Sequence, residues 1–316
     1  MVKRAVVVGV NDYSAQWPDG SANLTWCVND AQSIYHMLID AFGFDKSQVY
    51  FYTDGKATRD NILRALRCIT SQGEPGDVAC FYYSGHGARV KASAGHGDSD
   101  LYYETIIPAS GSWVSDWEVA EIANDLQPST VNFTVLLDSC HSGGMHPTDA
   151  LSKVRSPIYS DALLQSLIGA AAATLVPFGL GLPAQLALQL LKNNVTNLRK
   201  ATDPANGMVD LDPDPAKTLI DKSKSTLIAG CQFDELSWEH STLQHGLLTR
   251  SMIDLVDRCP YTITYDDLHT ELTKRVGDYI TKHITPGNAG VKQTPQLRGQ
   301  ANRMTEDFLD TWRDCR

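Results

Sequence analysis

Short apolar runs alternate with amphipathic stretches along the first 140 residues, and that alternation limits the chain to very few folds. Residues 4–10 (RAVVVGV) and 49–52 read as strands, as do VACFYYS at 78–84 and NFTVLLD at 132–138. Between them, Ala31, Ile34, Met37, Leu38 and Ala41 recur at helical spacing over 29–41. Ile62, Ala65, Leu66 and Ile69 do so after Thr58, a residue suited to capping a helix start, and another helix is expected over 116–126. Strands that alternate with helices are joined by right-handed crossovers, so the expectation is an α/β fold, a mostly parallel central sheet with helices on both faces. In such sheets the chemistry gathers at the carboxyl ends of the strands.

The pattern stops after Gly144 and resumes with a strand over 225–230 and helices over 247–256 and 265–280. QTPQL at 293–297 reads as an edge strand, where Pro295 is tolerated because no ladder partner needs its missing N–H. In the gap, residues 162–191 form a run of thirty without a charge. About twenty apolar residues suffice for a membrane span. The glutamines at 165, 185 and 189, Pro177, Pro183 and the Gly179/Gly181 pair weaken that reading. A pair of short helices packed on the domain or covering its cleft fits better; a loosely ordered, partner-seeking linker is the other alternative. The polar stretch 192–224, with DPDP at 212–215, reads as an exposed connection.

A length of 316 residues fits two domains or one large α/β domain with an insertion. The net charge of −10 argues against a nucleic-acid surface and suits a basic or neutral partner. Seven cysteines, an odd number with no Cys-x-x-Cys pair, point to reduced thiols and a cytoplasmic setting. The N-terminal MVKRAVVVGVNDY reads as a first strand and not as a signal peptide, because its apolar run is short and no small-residue cleavage site follows.

Two segments end buried strands with small and reactive residues: YYSGHG at 82–87 and LLDSCHSGG at 136–144. They fall at one edge of the sheet. A histidine between glycines at one strand end and a cysteine after Asp-Ser at another is what a Cys/His hydrolase needs, with Cys140 as nucleophile and His86 as acid and base. Glycines 85, 87, 143 and 144 leave room for a substrate backbone and amides for an oxyanion hole. Zinc binding through Cys140, His141 and His146 is not favoured, since the spacing fits no structural zinc pattern and consumes the nucleophile. Ser139 and Ser142 do not form the Gly-x-Ser-x-Gly of a serine hydrolase.

Taken with VNDY at 10–13, LTWCVNDA at 24–31, STLIAGCQFDELSWE at 225–239, HGLLT at 245–249 and the closing QTPQL, these motifs make the chain resemble the metacaspases and bacterial orthocaspases of the caspase-like cysteine peptidases. The resemblance covers the chain outside the 150–222 insertion. It implies a caspase-like sandwich and endopeptidase activity after Arg or Lys, with a protein or peptide carrying that basic residue as the partner. It divides the chain into a large-subunit-like catalytic half (1–149), an inserted linker with an apolar gating segment (150–224) and a small-subunit-like half (225–316) that completes the same domain. It assigns the oxyanion amides to Gly87 and Cys140 and the specificity pocket to Asp30, Ser84 and Asp138. Two carboxylates in a confined pocket favour a guanidinium or ammonium. The competing readings are a helix N-cap for Asp30 and a structural carboxylate for Asp138.

Many members of the family bind calcium, at positions that correspond here to Tyr103, Ser115, Asp116 and Pro147. One carboxylate remains where a hard cation takes six to eight oxygens, so the expectation is no metal and no cofactor. Asp98, Asp100 and Asp149 are what an improvised calcium site would draw on, and they read better as an acidic solvated loop. The linker between the halves is the expected place of self-cleavage, at Lys153, Arg155, Lys192, Arg199, Lys200, Lys217, Lys222 or Lys224, residues that flank the uncharged run on both sides. The non-enzymatic alternative is a caspase-like adaptor or regulatory domain that binds a partner or membrane through the insertion.

Overall fold

A computed structural model of the chain describes residues 1–91, 102–126, 131–139, 152–154, 224–232, 235–257, 262–284 and 291–309. Five parallel strands and one antiparallel edge strand make its central sheet. These are β1 (Lys3–Gly9), β2 (Val49–Thr53), β3 (Val78–Ser84), β7 (Asn132–Asp138), β9 (Ser225–Ala229) and β12 (Gln296–Arg298), in the order β12-β9-β7-β3-β1-β2. The strand that follows the insertion, β9, pairs in parallel with β7, and β12 closes the edge against it.

Both faces of this sheet are covered, which is why β1 and β3 are apolar at successive positions and not at alternate ones. Ala5 and Val7 pack with α1 (Cys27–Asp40), α4 (Leu247–Val256) and α5 (Tyr265–Tyr279) through Ile34, Leu38, Met252 and Leu268. Val6 and Val8 face the other way, onto α2 (Arg59–Ser71) and α3 (Asp116–Asn124) through Ile62, Leu66 and Ile122. Thr58 caps α2 by accepting the Asn61 N–H, as its type predicts. Ser115 and Glu118 close a reciprocal capping box at the start of α3.

Gly9 ends β1 directly under the first turn of α1. A Cβ there would come 2.3 Å from the Cys27 carbonyl oxygen and 2.7 Å from the Ala31 Cβ. The glycine is therefore what lets α1 lie low on the sheet, and α1 carries Asp30.

Two small sheets stand apart from the central one. The first pairs β4 (Gly87–Lys91), β5 (Tyr102–Ile106) and β6 (Val114–Ser115) in antiparallel fashion. The second pairs β8 (Ser152–Val154), β10 (Trp238–His240) and β11 (His245–Gly246), with β10 in the middle. A short helix, α6 (Ala301–Met304), follows β12.

Candidate active site

The two reactive motifs leave the sheet from neighbouring strands in step. β3 and β7 are parallel, with Ser84 opposite Asp138, and the Gly85 N–H reaches the Asp138 carbonyl at 3.5 Å. In the sequence His86 follows Ser84 by two residues, as Cys140 follows Asp138. Cys140 itself lies outside the described residues; Ser139, just before it, is fully buried.

His86 is buried and held from several sides. Its Nε2 lies 2.6 Å from the Ala22 carbonyl oxygen. A carbonyl can only accept, so Nε2 carries the proton, and the neutral ring is left with Nδ1 as its basic nitrogen. The ring rests on Tyr13 at 4.6 Å between centroids. The His86 N–H donates to the Tyr13 hydroxyl oxygen at 2.7 Å, and the Tyr13 and Tyr83 hydroxyls lie 3.1 Å apart. Tyr83 in turn donates to the His86 and Ile107 carbonyls, at 2.8 and 2.7 Å. With the single proton of Tyr83 directed at carbonyls, Tyr13 is the donor in the hydroxyl pair, and the chain of bonds closes on the histidine backbone. Burial pushes the Tyr13 phenol well above its ordinary value, which keeps that donor protonated. Gly85 is required by this arrangement, because a Cβ there would come 2.5 Å from both tyrosine hydroxyl oxygens.

The structure brings Asp30, Ser84 and Asp138 together, all three fully buried. Ser84 donates its hydroxyl to Asp30 Oδ2 at 2.9 Å, and Ser84 is the ladder neighbour of Asp138. Asp30 does not cap its own helix. The N-cap of α1 is Trp26, and the Asp30 carboxylate instead accepts the Gly246 N–H at 3.1 and 3.2 Å. Asp138 accepts the Ser237 hydroxyl at 2.8 Å and the N–H and hydroxyl of Thr249 at 3.0 and 2.6 Å. Gly87, at the start of β4, is also buried next to His86.

Two residues at this end of the sheet were not singled out from the sequence. Glu239, on β10, is 1% exposed, and its carboxylate accepts the N–H groups of Thr25 and Trp26 at 3.0 and 3.2 Å. It holds the turn just before α1 from more than two hundred residues away, and no local spacing announces such a contact. Cys231 is buried, and its thiol points at the carbonyl oxygens of Ser139 (3.7 Å) and Glu235 (3.6 Å). Its only signal was its place in the Ala-Gly-Cys-Gln segment at a strand end. A cavity of about 400 Å3, lined among others by Phe81, Leu137, Leu227 and Asp116, contains none of the residues of this site among those described.

Of the positions that correspond to the family's calcium ligands, Ser115 is buried as the cap of α3 and Asp116 begins that helix. The Tyr103 side chain, Pro147, Asp98, Asp100 and Asp149 lie outside the described residues. Among the described residues no three His, Cys, Asp or Glu side chains gather closely enough to hold a metal, and no helix is long and apolar enough to cross a membrane. Of the cleavage candidates, Lys224 is tied by its Nζ to the Asn124 and Leu126 carbonyls at 2.8 and 2.7 Å, just before β9 and so at the end of the sheet away from His86. Lys153 lies in β8. Arg155, Lys192, Arg199, Lys200, Lys217, Lys222 and the uncharged run lie outside the described residues.

A family model for the caspase domain matches residues 2–308. The chain belongs to the caspase-domain family. This caspase domain is 34% identical over 150 residues to metacaspase-4 of Arabidopsis thaliana, a stretch that covers 46% of this chain and 34% of that protein. It is 34% identical over 151 residues to metacaspase-1 of Schizosaccharomyces pombe, covering 45% and 34%, and 35% identical over 156 residues to Arabidopsis metacaspase-9, covering 46% and 45%. The matched part of the caspase domain thus spans a third to under half of these relatives. The crystal structure of protein GSU0716 from Geobacter sulfurreducens has the same fold, with a TM-score of 0.64 over 97% of both chains at 19% identity.

Proposed function

We propose that this caspase domain is a cysteine endopeptidase that cleaves after Arg or Lys and processes its own linker. The observation that supports the reading is the register of Ser84 opposite Asp138 on neighbouring parallel strands, each two residues before a member of the proposed dyad in the sequence. In this reading Nδ1 of His86 takes the Cys140 thiol proton while Nε2–H stays on the Ala22 carbonyl. The thiolate attacks the scissile carbonyl, and the Gly87 and Cys140 amides receive the oxyanion. His86 then protonates the leaving amine, and a water activated by the same nitrogen hydrolyses the thioester. Asp30 and Asp138 supply the negative field for the basic side chain, and no metal takes part.

The test is hydrolysis of fluorogenic peptides ending in Arg, Lys or Asp by the full chain, beside Cys140→Ala and His86→Ala. Turnover of the Arg and Lys peptides that both substitutions abolish, in chains that still fold, is the expected result. Full activity in either variant overturns the dyad, preference for Asp overturns the acidic pocket, and no turnover at all leaves the adaptor reading.

A further inference from the structure

Across one face of the central sheet runs a row of side chains from four neighbouring strands. Phe81 on β3 is opposite Val135 on β7, Val135 is opposite Leu227 on β9, and Leu227 is opposite Arg298 on the edge strand β12. Directly opposed residues stand on the same face of a sheet, so three apolar side chains lead to one guanidinium. Phe81 and Val135 are buried in the core on this face, whereas Leu227 is packed against it and only partly buried. The cavity of about 400 Å3 lies over this row, and Val119 and Ala120 of α3 and Ile106 of β5 help to enclose it. Its size is that of a small-molecule site.

We propose that this cavity binds a single-chain amphiphile with an anionic head, a medium-chain aliphatic carboxylate, whose tail lies along the row toward Phe81 and whose carboxylate pairs with Arg298. Three strand spacings of ~4.8 Å separate β3 from β12, roughly 14 Å in all, a length that a tail of medium size fills. Phe81, Val135, Leu137 and Leu227 offer nothing to which a sugar or a nucleotide could hydrogen-bond. To a hydrocarbon they offer burial, which is worth about fourfold in affinity per methylene. The charge of the head follows from the rim. Glu104 and Asp116, both half-buried there, already have partners. Arg298 is exposed, and among the described residues its guanidinium forms no ion pair and no hydrogen bond. A guanidinium takes a carboxylate through two parallel hydrogen bonds, whereas a cationic head would meet it with like charge.

Binding at this place does not depend on the peptidase reading. Among the described residues, the lining contains neither His86 nor Asp30, Ser84 or Asp138. Binding is therefore measured directly and not through turnover.

The probe is dodecanoate, titrated below its micelle concentration into the full-length chain and followed by calorimetry, beside decanoate, dodecyltrimethylammonium and the variants Arg298→Ala, Arg298→Glu and Val119→Trp. Expected is one dodecanoate per chain, with binding on the order of tenfold weaker for decanoate, which is two methylenes shorter. Binding of dodecanoate should weaken about tenfold in Arg298→Ala. It should be lost in Val119→Trp, whose indole takes the room of the tail. Arg298→Glu stands at an exposed edge position and leaves the core intact, so it serves if Val119→Trp fails to fold. That variant should prefer the ammonium to the carboxylate. Dodecanoate that does not bind the wild type, or that binds Arg298→Glu as tightly, overturns the proposal. So does an ammonium that binds the wild type as tightly as the carboxylate, or an affinity that does not change with tail length. Binding that survives in a folded Val119→Trp chain overturns the seat of the tail in this cavity.

Discussion

Asp138 and Thr249 are joined twice through one carboxylate oxygen, which accepts the Thr249 N–H at 3.0 Å and its hydroxyl at 2.6 Å. Thr249 is the third residue of α4, a helix whose N-cap, Gly246, has no side chain to offer. Asp138 therefore caps α4 from the end of β7, and Asp30 takes the Gly246 N–H from the other side. The two carboxylates assigned to the specificity pocket also bind the half of the chain after the insertion to the half before it.

That double duty gives a prediction for Asp138→Asn. The amide keeps its oxygen on the two Thr249 donors only by turning its NH2 to the Ser237 hydroxyl, which must then accept where it now donates, so unfolding should become easier by roughly 1–3 kcal/mol. Hydrolysis of Arg peptides should fall by more than that, about 2–5 kcal/mol in kcat/KM, if the carboxylate also faces the substrate cation. Denaturant unfolding and peptide kinetics on one preparation separate the two losses. Equal losses, or unchanged kinetics in a destabilised chain, would leave Asp138 with the structural part alone.

The Gly85 position predicts a more selective injury. Gly85→Ala forces a Cβ into the space between the Tyr13 and Tyr83 hydroxyls, and those hydroxyls hold the His86 backbone. Displacing them should cost about 1–3 kcal/mol of stability and lower kcat with little change in KM, since the residues proposed for specificity lie on the other side of the strand end. Tyr13→Phe, which keeps the ring under the imidazole and removes the bond to the His86 N–H, should show the same direction with a smaller size. Wild-type kcat in both variants would show that the tyrosine pair is not needed to hold the histidine.

Chelation tests the reading of Ser115 and Asp116. Ser115 is spent as a helix cap with both its hydroxyl and its N–H engaged with Glu118, so it cannot turn outward to a cation without opening α3. Activity on Arg peptides should be unchanged after treatment with a calcium chelator. A loss of about tenfold or more that added calcium restores would mean that carboxylates elsewhere assemble a site.

What could be read from the sequence followed from how each element is stabilised. β3 and β7 have the bounds expected for them because both of their faces are buried and each ends on small residues. α1 begins at Cys27 and not at 29, because the Asn11 side chain accepts its first N–H groups, those of Cys27 and Val28, from a place remote in sequence. The edge strand expected over 293–297 is displaced to Gln296–Arg298. Gln293 is a buried linker whose side chain accepts the Trp238 N–H and donates to the Gly230 carbonyl, and the ladder begins only after Pro295. β8, β10 and β11 are two or three residues long, too short for any periodicity to show, and β8 falls in a stretch expected to be without regular structure. The site divides along the same line. That His86 would stand just past a strand end was legible from its motif, whereas the bonds that join Asp30 and Asp138 to α4 span more than a hundred residues.

Glu239 supports the strictest test of how the halves cooperate. Its carboxylate lies on the central strand of the small β8-β10-β11 sheet and holds the turn before α1, the helix that carries Asp30 in its first turn. Replacement by Ala takes this acceptor from the Thr25 and Trp26 N–H groups in the turn before α1, a loss of roughly 2–4 kcal/mol for a buried pair of this kind. Replacement by Gln preserves one oxygen and should lose about half as much. The kinetic signature should appear in KM for Arg peptides if, as proposed, Asp30 on α1 faces the substrate side chain, while kcat should move little, because His86 is fixed through Ala22, Tyr13 and Tyr83. A fall in kcat at constant KM would place the effect of Glu239 on the loop that presents the Ala22 carbonyl to the histidine. Unchanged kinetics in a destabilised Glu239→Gln chain would confine Glu239 to holding the fold.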